Sequence, residues 1–194
     1  MKITKITPFV VDAGWRNWIL VKVETDAGLI GWGECSDRAA NGVVGTIRDL
    51  ADVVIGHDPR AYEARWWDMY RALQSSPGGI GAKAIAGIEL ALVDIAARAR
   101  GCSVVELFGG PLREQVRVYW SHCGTSRIRA HELMGAPPLR SMDDVSALGK
   151  EVVSKGFTAL KTNILFPGDP GHVYFPGRQQ GGATAVSYTH LTLP

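Results

Sequence analysis

The run Trp18–Glu34, W-I-L-V-K-V-E-T-D-A-G-L-I-G-W-G-E, constrains this chain more than any other stretch. Ile19, Val21 and Val23 alternate with Leu20, Lys22 and Glu24, the two-residue period of a strand buried on one face. Asp26-Ala27-Gly28 follows, with glycine where a three-residue hairpin loop needs positive φ. A second run, Leu29, Ile30 and Trp32 to Glu34, completes a β-hairpin. Ile3 to Asp12 reads as a strand before it, so the amino terminus is predicted to be a three-stranded antiparallel meander. Ala13-Gly14-Trp15-Arg16-Asn17 is the loop between its first two strands.

After a loop from Ser36 to Gly42 the pattern turns helical. Val43, Ile47, Leu50 and Val54 lie on one face of a helix that Gly56 ends. Asp58 is the expected N-cap of the next helix, with Pro59 at its first position and Tyr62, Trp66, Met69, Tyr70 and Leu73 as its core stripe. The strongest helix carries Ile85, Ile88, Leu92, Ile95 and Ala99 on one face, while Gly81, Ala82, Ala86, Gly87, Ala91 and Ala96 keep the others thin. Arg98 and Arg100 suit its carboxyl end and Gly101 its C′ position. Gly109-Gly110-Pro111 breaks the chain, and the first domain is assigned residues 1–113.

A second unit is assigned residues 114–177. Val116 to Ser121 reads as a strand, followed by roughly twenty residues without a clear period, which are expected to form a functional loop. Ser141 and Asp144 resemble a capping box, Val145, Leu148 and Val152 give a helix stripe, and Gly156 stops it. Phe157 to Asn163 is the next strand. Strand, helix and strand make a βαβ unit, the building block of a parallel sheet or barrel. Beyond Phe166 the pattern dissolves, and residues 178–194 (R-Q-Q-G-G-A-T-A-V-S-Y-T-H-L-T-L-P) are expected to be a non-native tail resembling translated adaptor or frameshifted sequence.

Composition excludes several classes. A net charge of +2 without a Lys/Arg block argues against nucleic acid as the main partner. The apolar stretch Ile85–Ala99 is interrupted by Glu89, Asp94 and Arg98, so no membrane span is expected there. Cys35, Cys102 and Cys123 are odd in number, widely spaced and without a C-x-x-C pair, which points to reduced thiols and a cytoplasmic location. Gly78–Lys83 lacks P-loop spacing, and Gly31-Trp32-Gly33 opens no helix, so neither reads as a nucleotide fingerprint.

The hairpin and the segment Lys83–Ala97, K-A-I-A-G-I-E-L-A-L-V-D-I-A-A, closely resemble the amino-terminal domain of the mandelate racemase/muconate lactonizing branch of the enolase superfamily. The likeness extends over roughly residues 1–177. It implies an α+β capping domain followed by the first βαβ part of a TIM-like (β/α) barrel, incomplete here. It further implies a carboxylic acid substrate bound to Mg²⁺, with a base that removes the proton α to the carboxylate. The metal ligands in that family lie on later strands, so none is expected in this chain.

Within the resemblance, Lys161 matches the first lysine of the family's K-x-K motif, and Asn163 replaces the second. The K-x-N form is similar to acid-sugar dehydratases of the galactonate type. On a strand, Lys161 and Asn163 share a face, and in a closed barrel Lys161 would point inward, where desolvation lowers a lysine's pKa. Trp15, Arg16 and Asn17 correspond to the family's capping loop over the substrate, and arginine's forked donors suit a carboxylate. His122, after the first barrel strand, is a substrate-contact candidate. Arg127, Arg129 and His131 in the same loop are weaker ones.

The implied function is the amino-terminal portion of a Mg²⁺-dependent acid-sugar dehydratase, homo-oligomeric at full length and acting on a small sugar acid. Racemisation, epimerisation or cycloisomerisation on the same scaffold remains open, as does a non-catalytic truncated product or binding module.

Overall fold

A computed structural model of the chain describes residues 1–35 and 39–174. The expected loop residues Ser36–Arg38 and the expected tail, residues 178–194, lie outside the described residues. The chain divides into two compact units, Met1–Glu114 and a second beginning at Gln115.

In the first unit, β1 (Ile3–Asp12), β2 (Asn17–Thr25) and β3 (Ile30–Cys35) form an antiparallel sheet in that order. The sequence's alternation sets the register: Ile19, Val21 and Val23 are fully buried, while Trp18 on the other face is exposed. Pro8 lies on β1, an edge strand, where a residue without an N–H is tolerated. Gly28 has φ 76°, and its N–H donates to the Thr25 carbonyl to close the hairpin.

The helices α1 (Ala40–Val54), α2 (Tyr62–Ala72) and α3 (Ile80–Ala99) supply the rest of the core. Val43, Ile47, Leu50 and Val54 of α1 are all buried, as their spacing predicts. Met69 is the fully buried residue of the α2 stripe. Tyr62, Trp66, Tyr70 and Leu73 are partly buried against the same cluster, and the Trp66 and Tyr70 rings stack at 5.0 Å. Ile85, Ile88, Leu92 and Ile95 of α3 are buried, but Ala99, the last residue of the helix, is exposed. Arg100 donates to the Ala96 carbonyl and Gly101 takes φ 67°, as expected of the helix end.

Asp58 is not a helix cap. Its carboxylate accepts from the Arg60 N–H and guanidinium instead, and the hydrogen bond from the Arg60 side chain holds its pKa down to about 2. The helix starts later, behind Ala61. A short helix, α4 (Val104–Leu107), closes the unit with a capping box between Ser103 and Glu106 that the sequence reading passed over.

The β3–α3 contact sets the unit's geometry. A Cβ on Gly31 would sit 2.1 Å from the Ala91 carbonyl oxygen, and one on Gly33 would sit 2.0 Å from that of Gly87. The Gly-Trp-Gly run therefore lets strand backbone lie directly on helix backbone. Trp32 between them donates its N–H to Asp94 of α3 at 3.1 Å.

In the second unit, β4 (Trp120–Ser121), α5 (Cys123–Arg129), α6 (Met142–Ser154) and β5 (Leu160–Lys161) build the expected βαβ core. The two strands pair in parallel, Trp120 opposite Leu160 and Ser121 opposite Lys161. Both are shorter than the sequence pattern suggests. Val116, Val118 and Tyr119 are exposed outside the ladder, and the Arg117 guanidinium bonds to Thr158 instead.

Ser141 and Asp144 form the predicted capping box, which lowers the Asp144 pKa through backbone and Ser141 hydrogen bonds. Leu148 and Val152 of α6 pack with Cys123 and Leu139. Two features depart from expectation. The stretch predicted as a functional loop contains α5, and the region past Phe166 contributes β7 (His172–Tyr174), which pairs antiparallel with β6 (Ile164–Phe166).

Candidate functional site

In the first unit the loop after β1 is a tight turn. Asp12 accepts the Gly14 N–H at 2.8 Å, and Ala13 donates to the Arg16 carbonyl at 2.9 Å. The Arg16 guanidinium lies 3.6 Å from the centroid of the Trp15 ring, a cation–π stack that orients the fork. Trp15 is 59% exposed and Arg16 is half-buried. Asn17 belongs to the strand rather than the loop: it opens β2 opposite Asp12, so the turn is one residue shorter than the sequence pattern predicts.

In the second unit, parallel pairing brings the carboxyl ends of β4 and β5 side by side, with Ser121 in register with Lys161. Lys161 is exposed. Asn163 does not continue the strand, so the expected shared face of Lys161 and Asn163 does not arise from β alternation. The reason is a side chain the sequence reading missed. Buried Thr125 accepts both the Asn163 backbone N–H at 3.3 Å and its side-chain Nδ2 at 3.1 Å, which takes Asn163 out of the ladder. No periodicity marks Thr125. Its only signal is its place in the run Cys123-Gly124-Thr125, small residues just past the first barrel strand.

That run docks α5 against the β5 end. The Cys123 thiol donates to the Lys161 carbonyl, and burial pushes its pKa up. A Cβ on Gly124 would lie 2.3 Å from Leu165 Cδ1. His122, directly before the helix, is held at φ 54°, a left-handed conformation costly for a side chain with a Cβ, and its Nδ1 is buried without a hydrogen-bond partner among the described residues.

Arg127 proves to be structural. Its guanidinium is buried, donates to Glu151 at 2.5 Å and to the Pro137 carbonyl at 3.3 Å, and holds α5 against α6. Glu151 is correspondingly more acidic than usual, through its hydrogen bond from Lys155 first and through Arg127 as well. Arg129 is exposed and His131 half-buried. Among the described residues, no group of three or more His, Cys, Asp or Glu side chains could hold a metal ion, and no helix is long and apolar enough to cross a membrane.

Residues 4–109 match the family model "Mandelate racemase / muconate lactonizing enzyme, N-terminal domain". The chain is 40% identical over 120 residues to a D-galactonate dehydratase of Pectobacterium atrosepticum, covering 61% of this chain and 31% of that protein. A D-galactonate dehydratase of Verminephrobacter eiseniae is 34% identical over 165 residues, covering 84% of this chain and 38% of that one. Among solved structures, a proposed L-alanine-DL-glutamate epimerase from Burkholderia xenovorans superposes with a TM-score of 0.83 at 34% identity, covering 90% of this chain and 44% of that chain. The same protein has been crystallised with magnesium and fumarate. This chain thus spans about a third of the length of the curated relatives it matches.

Proposed function

The chain belongs to the mandelate racemase/muconate lactonizing enzyme family, and we propose that it is the amino-terminal portion of an acid-sugar dehydratase. Such an enzyme removes the proton α to a substrate carboxylate and eliminates water. The observation that carries this reading is the parallel β4–β5 pair, which sets Lys161 beside the end of the first barrel strand, at the face where barrel enzymes gather their chemistry. Similarity to D-galactonate dehydratases supports an aldonate-type substrate.

Lys161 is the proposed base. Asn163 cannot accept the α-proton, so its amide orients a partner by hydrogen bonds, and proton transfer from one side favours elimination over racemisation. Trp15, Arg16 and Asn17 are assigned to substrate contact, with the Arg16 fork on the carboxylate. His122, in a left-handed backbone conformation and with a buried nitrogen that has no hydrogen-bond partner among the described residues, is assigned a substrate contact as well.

Magnesium enters this reading through the family. The described residues do not fit a metal site, so its ligands are assigned to other parts of the complete protein, and no step is derived through it here. The complete enzyme is proposed to be homo-oligomeric and cytoplasmic. Epimerisation is the second reading, favoured by the structural likeness to the proposed epimerase.

The test is turnover of D-galactonate and related aldonates by the full-length protein, with Arg16→Ala beside it. Dehydration is expected, with a several-fold higher KM for the variant. Epimerised acid without a dehydrated product would replace the reading by the second one, and unchanged kinetics in the variant would remove Arg16 from the site.

A further inference from the structure

We propose that Thr125 is a positioning residue that fixes which edge of the Asn163 amide faces the site, an inference resting on the assignment of Asn163 to the reaction. A threonine hydroxyl has two acceptor lone pairs and one proton to give. Both lone pairs are taken by Asn163, through its backbone N–H at 3.3 Å and its Nδ2 at 3.1 Å. The proton is therefore directed to the remaining contact, the Thr162 hydroxyl at 3.5 Å. With Nδ2 turned to Thr125, the carbonyl Oδ1 occupies the opposite edge of the planar amide. Asn163 thereby presents an acceptor, and the group it suits is a hydroxyl of a polyhydroxy acid.

Three observations make this a built contact. Thr125 is 8% exposed, so its hydroxyl is shielded from competing water. Gly124 beside it lets α5 lie close to the Thr162–Leu165 segment: an added Cβ would sit 2.3 Å from Leu165 Cδ1 and 2.9 Å from the Thr162 hydroxyl, so those side chains would have to shift. The Cys123 thiol holds the Lys161 carbonyl two residues before Asn163. One turn of α5 thus grips the Lys161–Asn163 segment at both ends, and Thr125 is the grip that reaches a side chain.

The test has two arms. Asparagine-selective labelling of this chain gives side-chain amide signals from Asn17, Asn41 and Asn163 alone. Thr125→Val, which keeps the shape and removes the hydroxyl, should shift the Asn163 pair and speed its exchange with solvent while leaving the other two unmoved. Thr125→Ser should restore it. An Asn163 pair indifferent to Thr125→Val overturns the proposal.

In the full-length protein, Thr125→Val should lower kcat/KM for the aldonate roughly tenfold, the loss of one oriented hydrogen bond. It should cost clearly less in an Asn163→Ala background, where only the backbone N–H bond to the hydroxyl is left to lose. A merely structural threonine would cost the same in both backgrounds, and that result overturns the proposal. If Lys161→Ala and Asn163→Ala cripple turnover while Thr125→Val does not, Thr125 loses its role and the reading of the site stands. If Lys161→Ala and Asn163→Ala are both fully active, the reading of the site fails and takes the catalytic role of Thr125 with it.

Discussion

Gly33→Ala should be among the most damaging single-methyl additions in the first unit. The new Cβ would sit 2.0 Å from the Gly87 carbonyl oxygen and 3.0 Å from the Ala91 nitrogen, both backbone atoms of α3 that cannot rotate away. Strand and helix must separate by about 1 Å, and overpacking of that kind costs about 1–3 kcal/mol, occasionally more. Separation also loosens the contacts of Val21, Ile88 and Ala91, all fully buried, so the upper end applies and about 3 kcal/mol is expected.

Gly45→Ala is the control. It lies within α1 with nothing within 4 Å of the added carbon, and should stabilise by about 0.5–1 kcal/mol. Urea unfolding of the whole chain, followed by tryptophan fluorescence and circular dichroism, should lower the Gly33→Ala midpoint by about 1–2 M and leave Gly45→Ala at or above the parent. Equal midpoints for the two variants would refute the claim that backbone-on-backbone contact sets the β3–α3 spacing.

Glu151→Gln should destabilise the second unit by about 2 kcal/mol, because it leaves the buried Arg127 guanidinium with a neutral partner. Since the Glu151 pKa is lowered in the folded state, that contribution is complete above its ordinary value near 4.5 and is lost as pH falls through the lower folded value. A thermal-melt series from pH 7 to pH 3 should therefore show a shallower acid loss in the variant. Ser141→Ala should cost about 1 kcal/mol by removing the capping box of α6, read as a lower melting temperature with an unchanged pH profile above pH 5.

The sequence made the first unit legible because its periods are long. The alternation of β2 and the stripes of α1 and α3 each repeat often enough to declare a face. Asp58 misled because Asp-Pro also opens turns, and here the carboxylate found Arg60 two residues on rather than a helix N-terminus. In the second unit the parallel strands are two residues each and the hairpin strands three, too short for any period, and α5 has seven residues with a buried arginine in place of an apolar stripe. The site suffered most from this. The position of Lys161 followed from a motif, but the orientation of Asn163 depends on a hydroxyl 38 residues away, which no local pattern encodes.

Lys161 is proposed to take the α-proton of a sugar acid. The direct measurement is incorporation of solvent deuterium at the α-carbon, alongside turnover, by the full-length protein and its Lys161→Ala variant at matched folding by circular dichroism. Turnover in the variant should fall by roughly two to four orders of magnitude, the usual size of a general acid–base contribution, and α-proton exchange should fall with it. A folded Lys161→Ala variant that keeps near-parental turnover and exchange would place the base elsewhere and remove Lys161 from the chemistry.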